Sequence, residues 1–243
     1  MQYGIISDIH ANLEALEVVL GDMDRRRPDA VICLGDFVGY GPDPVTCVER
    51  LRPALAGAVA GNHDLAAVDA LDIADFNPLA QAAILWTREQ LTAPVRRYLT
   101  DLPQQITPNG FLAVHGSARD PVEEYILDLH TAQANFDAAP FRVCLVGHTH
   151  VPAVFVFDGE KVTAAPLLPE QPLRLQPERR YIVNVGSVGQ PRDGDARAAY
   201  AWFDEDAQTV SLLRLAYPVE RTQKKMEAAG LPAMLVERLA YGR

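Results

Sequence analysis

Tyr3-Gly4-Ile5-Ile6-Ser7-Asp8-Ile9-His10 and Ala30-Val31-Ile32-Cys33-Leu34-Gly35-Asp36 share one pattern, a short β-branched apolar run followed at once by polar residues. Between them Leu13, Leu16, Val19, Leu20 and Met23 fall on one helical face, with Asn12 placed as N-cap and Pro28 as stop. Strand, helix and strand in that order predict parallel pairing, because a crossover is needed to bring two strands side by side in one direction. Further apolar runs at 56–60, 111–114, 143–146 and 181–185 read as buried strands of the same α/β sheet system.

The rest of the chain has a different texture. Residues 77–102 carry helical periodicity, with Pro78 suited to a first turn and Pro94 to the start of a second helix. Segment 117–140 mixes charge, aromatics and prolines and reads as a helical excursion bordering the site. Val154-Phe155-Val156-Phe157, an Asp158-Gly159 turn and residues 161–165 predict a hairpin, and 198–203 with 209–215 predict another. Helical patterns at 220–228 and 232–240 follow. With no repeat, linker or low-complexity segment, residues 1–243 are expected to form one domain.

A hydrophobic fraction of 49% supports a substantial core, while a net charge of −10 opposes binding to polynucleotides or anionic membranes. An anionic substrate then needs local positive charge, which bound cations can provide. Cys33, Cys47 and Cys144 lack paired spacing and read as buried reduced thiols. There is no signal-peptide pattern and no run of transmembrane length, so a cytoplasmic location is expected.

Five of the six histidines lie in short polar signatures: Asp8-Ile9-His10, Gly61-Asn62-His63-Asp64, His115-Gly116 and Gly147-His148-Thr149-His150, with Gly35-Asp36 between the first two. Taken singly, Asp8 and Asp36 read as turn or cap residues, Asn62 as a left-handed turn residue and Asp64 as a helix cap. Taken together, imidazoles, carboxylates and an amide placed after successive strands converge at the carboxyl ends of an open sheet. That donor set suits transition metals better than calcium, and one shared carboxylate, Asp36, could put an oxygen on each of two cations about 3.5–4 Å apart.

These signatures, in this order from Asp8 to His150, resemble the calcineurin-like metallophosphoesterase family. The loop Asn184-Val185-Gly186-Ser187-Val188-Gly189-Gln190-Pro191-Arg192-Asp193-Gly194 resembles its bacterial phosphodiesterase-like branch. The resemblance implies a four-layer α/β/β/α sandwich with two central mixed sheets. It assigns Asp8, His10, Asp36 and His150 to one metal, and Asp36, Asn62, His115 and His148 to the other. Two divalent transition-metal ions are implied, with manganese first and iron, zinc, nickel or cobalt as alternatives. The implied reaction is attack on phosphorus by a metal-activated hydroxide, with His63 protonating the leaving alkoxide and Asp64 holding its imidazole in the charged form.

The segment Gly35-Asp36-Phe37-Val38-Gly39-Tyr40-Gly41 lacks the arginine of the Asp-Arg-Gly form of phosphoprotein phosphatases and of the Ala-Arg-Gly form of symmetrical dinucleoside polyphosphate hydrolases. The expected function is therefore hydrolysis of phosphodiesters in small or nucleotide substrates, ahead of phosphomonoesterase or dinucleoside polyphosphatase action. A metal-dependent nuclease is disfavoured by the acidic balance. A non-catalytic protein-binding scaffold is the reading from a different class, and retention of His63, Asp64 and the full ligand set argues against it. Arg192, Arg119 and Tyr40 are the weaker candidates for substrate contact, Tyr125 is a further pocket candidate, and His130 reads as an ordinary surface residue. Exposed strand edges leave self-association open.

Overall fold

Alternate residues of the central strands face two different cores. In β1 (Gln2–Ile6), Tyr3 and Ile5 point into an apolar layer shared with the opposite sheet, whereas Ile6 points outward to α1 (Leu13–Arg26). Strand geometry with a period of two, buried on both faces, explains why these segments read as continuous apolar runs. The computed structural model describes Met1 to Arg243 throughout. After α1 come β2 (Ala30–Cys33), α2 (Pro44–Leu51), β3 (Gly57–Ala58), α3 (Asn62–Ala67), α4 (Pro78–Gln90) and α5 (Ala93–Thr100). The second part runs β4 (Gln105–Ile106), β5 (Leu112–Val114), α6 (Leu129–Ala138), β6 (Val143–Val146), β7 (Ala153–Phe157), β8 (Val162–Pro166), β9 (Leu173–Arg174) and β10 (Arg180–Asn184). It ends with β11 (Ala198–Asp204), β12 (Thr209–Leu215), α7 (Val219–Ala228) and α8 (Ala233–Arg238).

Two six-stranded mixed sheets result, ordered β3-β2-β1-β11-β12-β9 and β4-β5-β6-β10-β7-β8. β1 pairs parallel to β2, with Ile5 opposite Ile32, and antiparallel to β11, with Ile5 opposite Ala201. In the other sheet β6 runs parallel to both β5 and β10. Tyr3, Ile5, Val143, Leu145, Tyr181 and Val183 fill the layer between the sheets. Leu16, Val19 and Met23 of α1 cover one outer face, and Phe136 of α6 meets Cys144, Val146 and Ile182 on the other. The architecture is thus an α/β/β/α sandwich. All three cysteines are buried and unbridged, and no helix is long and apolar enough to cross a membrane.

Several elements depart from the sequence reading. The apolar run 56–60 contains only two strand residues, because β3 is a sheet-edge strand that pairs with β2 alone. The helix α2 was not expected although Pro44, Cys47, Val48 and Leu51 bury one face at helical spacing, and α3, β4 and β9 are too short to show a period. Asn62, His63 and Asp64 consequently lie in the first turn of a helix rather than in a loop. Asn12 caps α1 through an Oδ1 acceptor 3.2 Å from Ala15 N, and Pro78 and Pro94 occupy first-turn positions of α4 and α5.

Candidate active site

Every signature residue follows the carboxyl end of a strand: Asp8 and His10 after β1, Asp36 after β2, Asn62 and His63 after β3, His115 after β5, His148 and His150 after β6. The loops are stitched across the two sheets. Asp8 N–H donates to Gly35 O at 3.0 Å, His10 N–H to Asp36 O at 3.0 Å and His148 N–H to Asp8 Oδ2 at 3.1 Å. Asp8, His10, Asp36, His148 and His150 all hold left-handed backbone, with φ from 47° to 65°. Each such non-glycine residue costs of order 1 kcal/mol or more, and strain concentrated on one group of side chains is characteristic of functional sites. Gly61 allows the close approach of the third loop, since a Cβ there would sit 2.0 Å from Asp36 Oδ1.

Four imidazoles enter this cavity, each with one nitrogen anchored on a backbone carbonyl. His10 Nδ1 lies 3.1 Å from Val38 O, His150 Nδ1 2.6 Å from Gln190 O, His115 Nδ1 2.8 Å from Leu34 O, and His148 Nε2 3.0 Å from Glu123 O. A carbonyl can only accept, so each anchored nitrogen carries the proton and the opposite nitrogen presents a lone pair inward. The inward atoms nevertheless face each other: His10 Nε2 is 3.1 Å from His150 Nε2, and His115 Nε2 is 3.0 Å from His148 Nδ1. Two lone pairs at that distance repel, and only a proton or a cation relieves them. Burial holds His10, His115, His148 and His150 below the ordinary imidazole range, which opposes protonation.

The carboxylates point to the same conclusion. Asp8 Oδ1 and Asp36 Oδ2 are buried without a hydrogen-bond partner. Asp8 Oδ1 is 3.2 Å from His150 Nε2, and Asp36 Oδ2 is 3.4 Å from both His10 Nε2 and His115 Nε2. Burial, reinforced by Asp64 and Asp8, pushes Asp36 well above the usual carboxylate range, so its ionised form calls for a compensating cation. Asp8, His10, Asp36 and His150 form one group with metal-ligand spacing, and Asp36, His115 and His148 form a second. Asn62 Oδ1, 3.2 Å from His115 Nε2, belongs beside the second. The donors therefore fit two cations. Asp36 is common to both groups; its Oδ2 has no hydrogen-bond partner, while Oδ1 accepts the His63 N–H at 2.9 Å.

His63 is buried between Tyr40 and Phe76, with ring centroids 4.4 and 5.3 Å away. Its Nδ1 faces Gly39 and has no partner. The expected Asp64–imidazole contact is not there. Asp64 accepts instead from Val38 N–H at 3.2 Å and Gly61 N–H at 3.1 Å, pinning α3 to the loop after β2. Burial raises the Asp64 carboxyl to about 7, and burial together with Arg192 lowers His63 well below its ordinary range. The imidazole of the free protein is therefore neutral.

Tyr40 packs on His10 as well as on His63, and the Arg192 guanidinium lies 5.7 Å from the Tyr40 ring centre while donating to Gln190 Oε1 at 3.0 Å. Arg192 has no carboxylate partner. Arg119 is turned away and ion-paired with Glu124, so it is not brought to the site, and His130 is exposed. A cleft of about 320 Å³ opens over the second group, lined by Tyr40, Asn62, His63, Phe76, Tyr125 and His148, with Asp75 and Glu123 on its wall. The carbonyls of Leu34, Val38, Glu123 and Gln190 that orient the imidazoles had no signal in the sequence, because every residue carries one. Phe76 and Asp75 likewise gave none.

Fold and site together define the protein as a phosphoric ester hydrolase of the metallophosphoesterase class. The chain belongs to the calcineurin-like phosphoesterase superfamily, whose domain profile matches residues 1–208. It is similar to a metallophosphoesterase from Sphaerobacter thermophilus of known crystal structure, at 44% identity and a TM-score of 0.89, covering 100% of this chain and 99% of that one. It is 36% identical to an uncharacterized protein of Methanocaldococcus jannaschii over 98% of this chain and 97% of its relative. A hypothetical protein from Pyrococcus horikoshii shares the fold at 18% identity, with a TM-score of 0.80 over 100% of this chain and 98% of that one.

Proposed function

We propose that the protein hydrolyses phosphodiester bonds in small or nucleotide substrates. The observation that carries this reading is the cleft lining: aromatic side chains and the acidic residues Asp75 and Glu123, with no lysine or arginine among the lining residues and the Arg192 guanidinium beside Tyr40. A diester bears one negative charge and a monoester close to two, so the same carboxylates penalise the monoester more. A polynucleotide would need a basic track that the wall lacks.

Two divalent cations on the paired groups would supply Lewis acidity and a water of lowered pKa at neutral pH. The mixed imidazole and carboxylate set supports manganese, with iron, zinc, nickel and cobalt as competitors. Asp8, Asp36, Asn62, His10, His115, His148 and His150 would hold these ions. Arg192, beside Tyr40 and without a carboxylate partner, takes a phosphoryl oxygen. His63 protonates the leaving alkoxide, and the anionic ester itself supplies the charge that draws a proton onto this buried ring. Asp64 acts through the backbone, positioning His63 by holding α3 in place. The unbridged cysteines support a reducing, cytoplasmic setting.

The test compares bis(4-nitrophenyl) phosphate with 4-nitrophenyl phosphate on manganese-loaded protein. The diester should show the higher kcat/KM by about tenfold, equivalent to ~1.4 kcal/mol of charge repulsion. A preference for the monoester would overturn the reading.

A further inference from the structure

Tyr125 is braced on both sides. The Glu124 carboxylate accepts from Ser117 Oγ at 2.5 Å and Asn135 Nδ2 at 2.8 Å, and Ile126 is buried with Phe136 in the outer core. Between these fixings the Tyr125 ring is 45% exposed, stacked on His148 at 3.7 Å between centroids and 23° between planes, and it lines the cleft. Phe76 lines the same cleft and is also held: its carbonyl accepts from Gln81 Nε2 at 2.8 Å, and the adjacent Asn77 side chain caps α4. A half-exposed aromatic ring on a braced segment leaves apolar surface in water, and it can receive a flat partner with little ordering entropy. Asp75 and Glu123 are among the residues lining the same cleft, and their acidic side chains are potential N–H acceptors.

We infer that this cleft binds the planar base of a nucleoside phosphate ester, with Tyr125 as the specificity-determining ring and Phe76 beside it. The phosphate sits over the paired ligand groups, the base lies on the free surface of Tyr125, and the carboxylates accept its ring or amino N–H groups. The same carboxylates repel further phosphates, so mononucleotide esters are selected over polyphosphates and polynucleotides. This rests on the phosphodiesterase reading for the bond that is cut, but not for the group that is held.

Calorimetric titration of the manganese-loaded protein with guanosine 5′-phosphate and with ribose 5-phosphate isolates the base. The nucleotide should bind at least about tenfold more tightly, as single base–aromatic stacks commonly provide. Tyr125→Ala should bring the ratio close to one, and Tyr125→Phe should retain it. Equal affinities in the wild type overturn the inference, as does a ratio unchanged in both Tyr125→Ala and Phe76→Ala. If Tyr125→Ala releases metal through His148, the ratio in Phe76→Ala decides. Diester and monoester turnover is measured separately, so failure of the phosphodiesterase reading leaves this ratio as an independent result.

Discussion

Gly39 holds φ at +87°, and a Cβ on it would lie 2.5 Å from His63 Nδ1. Gly39→Ala should therefore displace the imidazole, destabilise the fold by about 1 kcal/mol or more, and reduce turnover while the metal content measured by elemental analysis stays at two ions. His63→Ala should lower kcat by about 10²–10⁴-fold with metal likewise retained, because the ring belongs to neither ligand group. Parallel loss of metal and activity in His63→Ala would contradict the separation of roles. At this scale the residue types were legible from short signatures, since imidazole and carboxylate chemistry is local. The partner of Asp64 was not legible: two backbone amides compete with the adjacent ring for its oxygens, and only their positions decide the outcome.

Elements carry the next layer of constraint. Asn12 caps α1 and also donates to Gly189 O at 2.8 Å, joining the helix start to the loop that supplies Gln190. Asn12→Ala removes both contacts in a buried setting and should cost about 2 kcal/mol, read as a lower urea midpoint at unchanged m-value. The segment before α6 depends on Glu124. Burial raises this carboxyl, but hydrogen bonds from Arg119, Ser117 and Asn135 outweigh it and hold the pKa at about 2. A depressed carboxyl stabilises the fold above its unfolded pKa of about 4.3 and loses that contribution as pH falls toward 2. Glu124→Gln should therefore flatten the acid limb of the stability–pH curve, and an unchanged limb would show that the bracing is weak. Strands with both faces buried, the capped helices α1 and α4, and α5 with its first-turn proline were readable from periodicity and end signals. The two-residue strands and α3 were too short to show either.

At the scale of the whole molecule, the candidate cage joins loops from both sheets, so a cation bound there links the two halves of the sandwich. Chelation by EDTA should lower the melting temperature by about 5–10 °C, taking ~2.7 kcal/mol for a ligand at a hundred times its Kd and roughly 2–4 °C per kcal/mol. Differential scanning calorimetry with and without manganese checks this, and coincident curves would deny the coupling. The sequence by itself determined the donor types, their order and their place after successive apolar strands, because side-chain chemistry and strand periodicity are written within a few neighbouring residues. Only the tertiary structure decided which nitrogen of each imidazole faces inward, that one Asp36 oxygen accepts the His63 amide while the other is left without a partner, and that Tyr125 rather than Arg119 lines the cleft. Those outcomes depend on carbonyls and amides brought together from distant segments, and a backbone group common to every residue leaves no mark in the order of side chains.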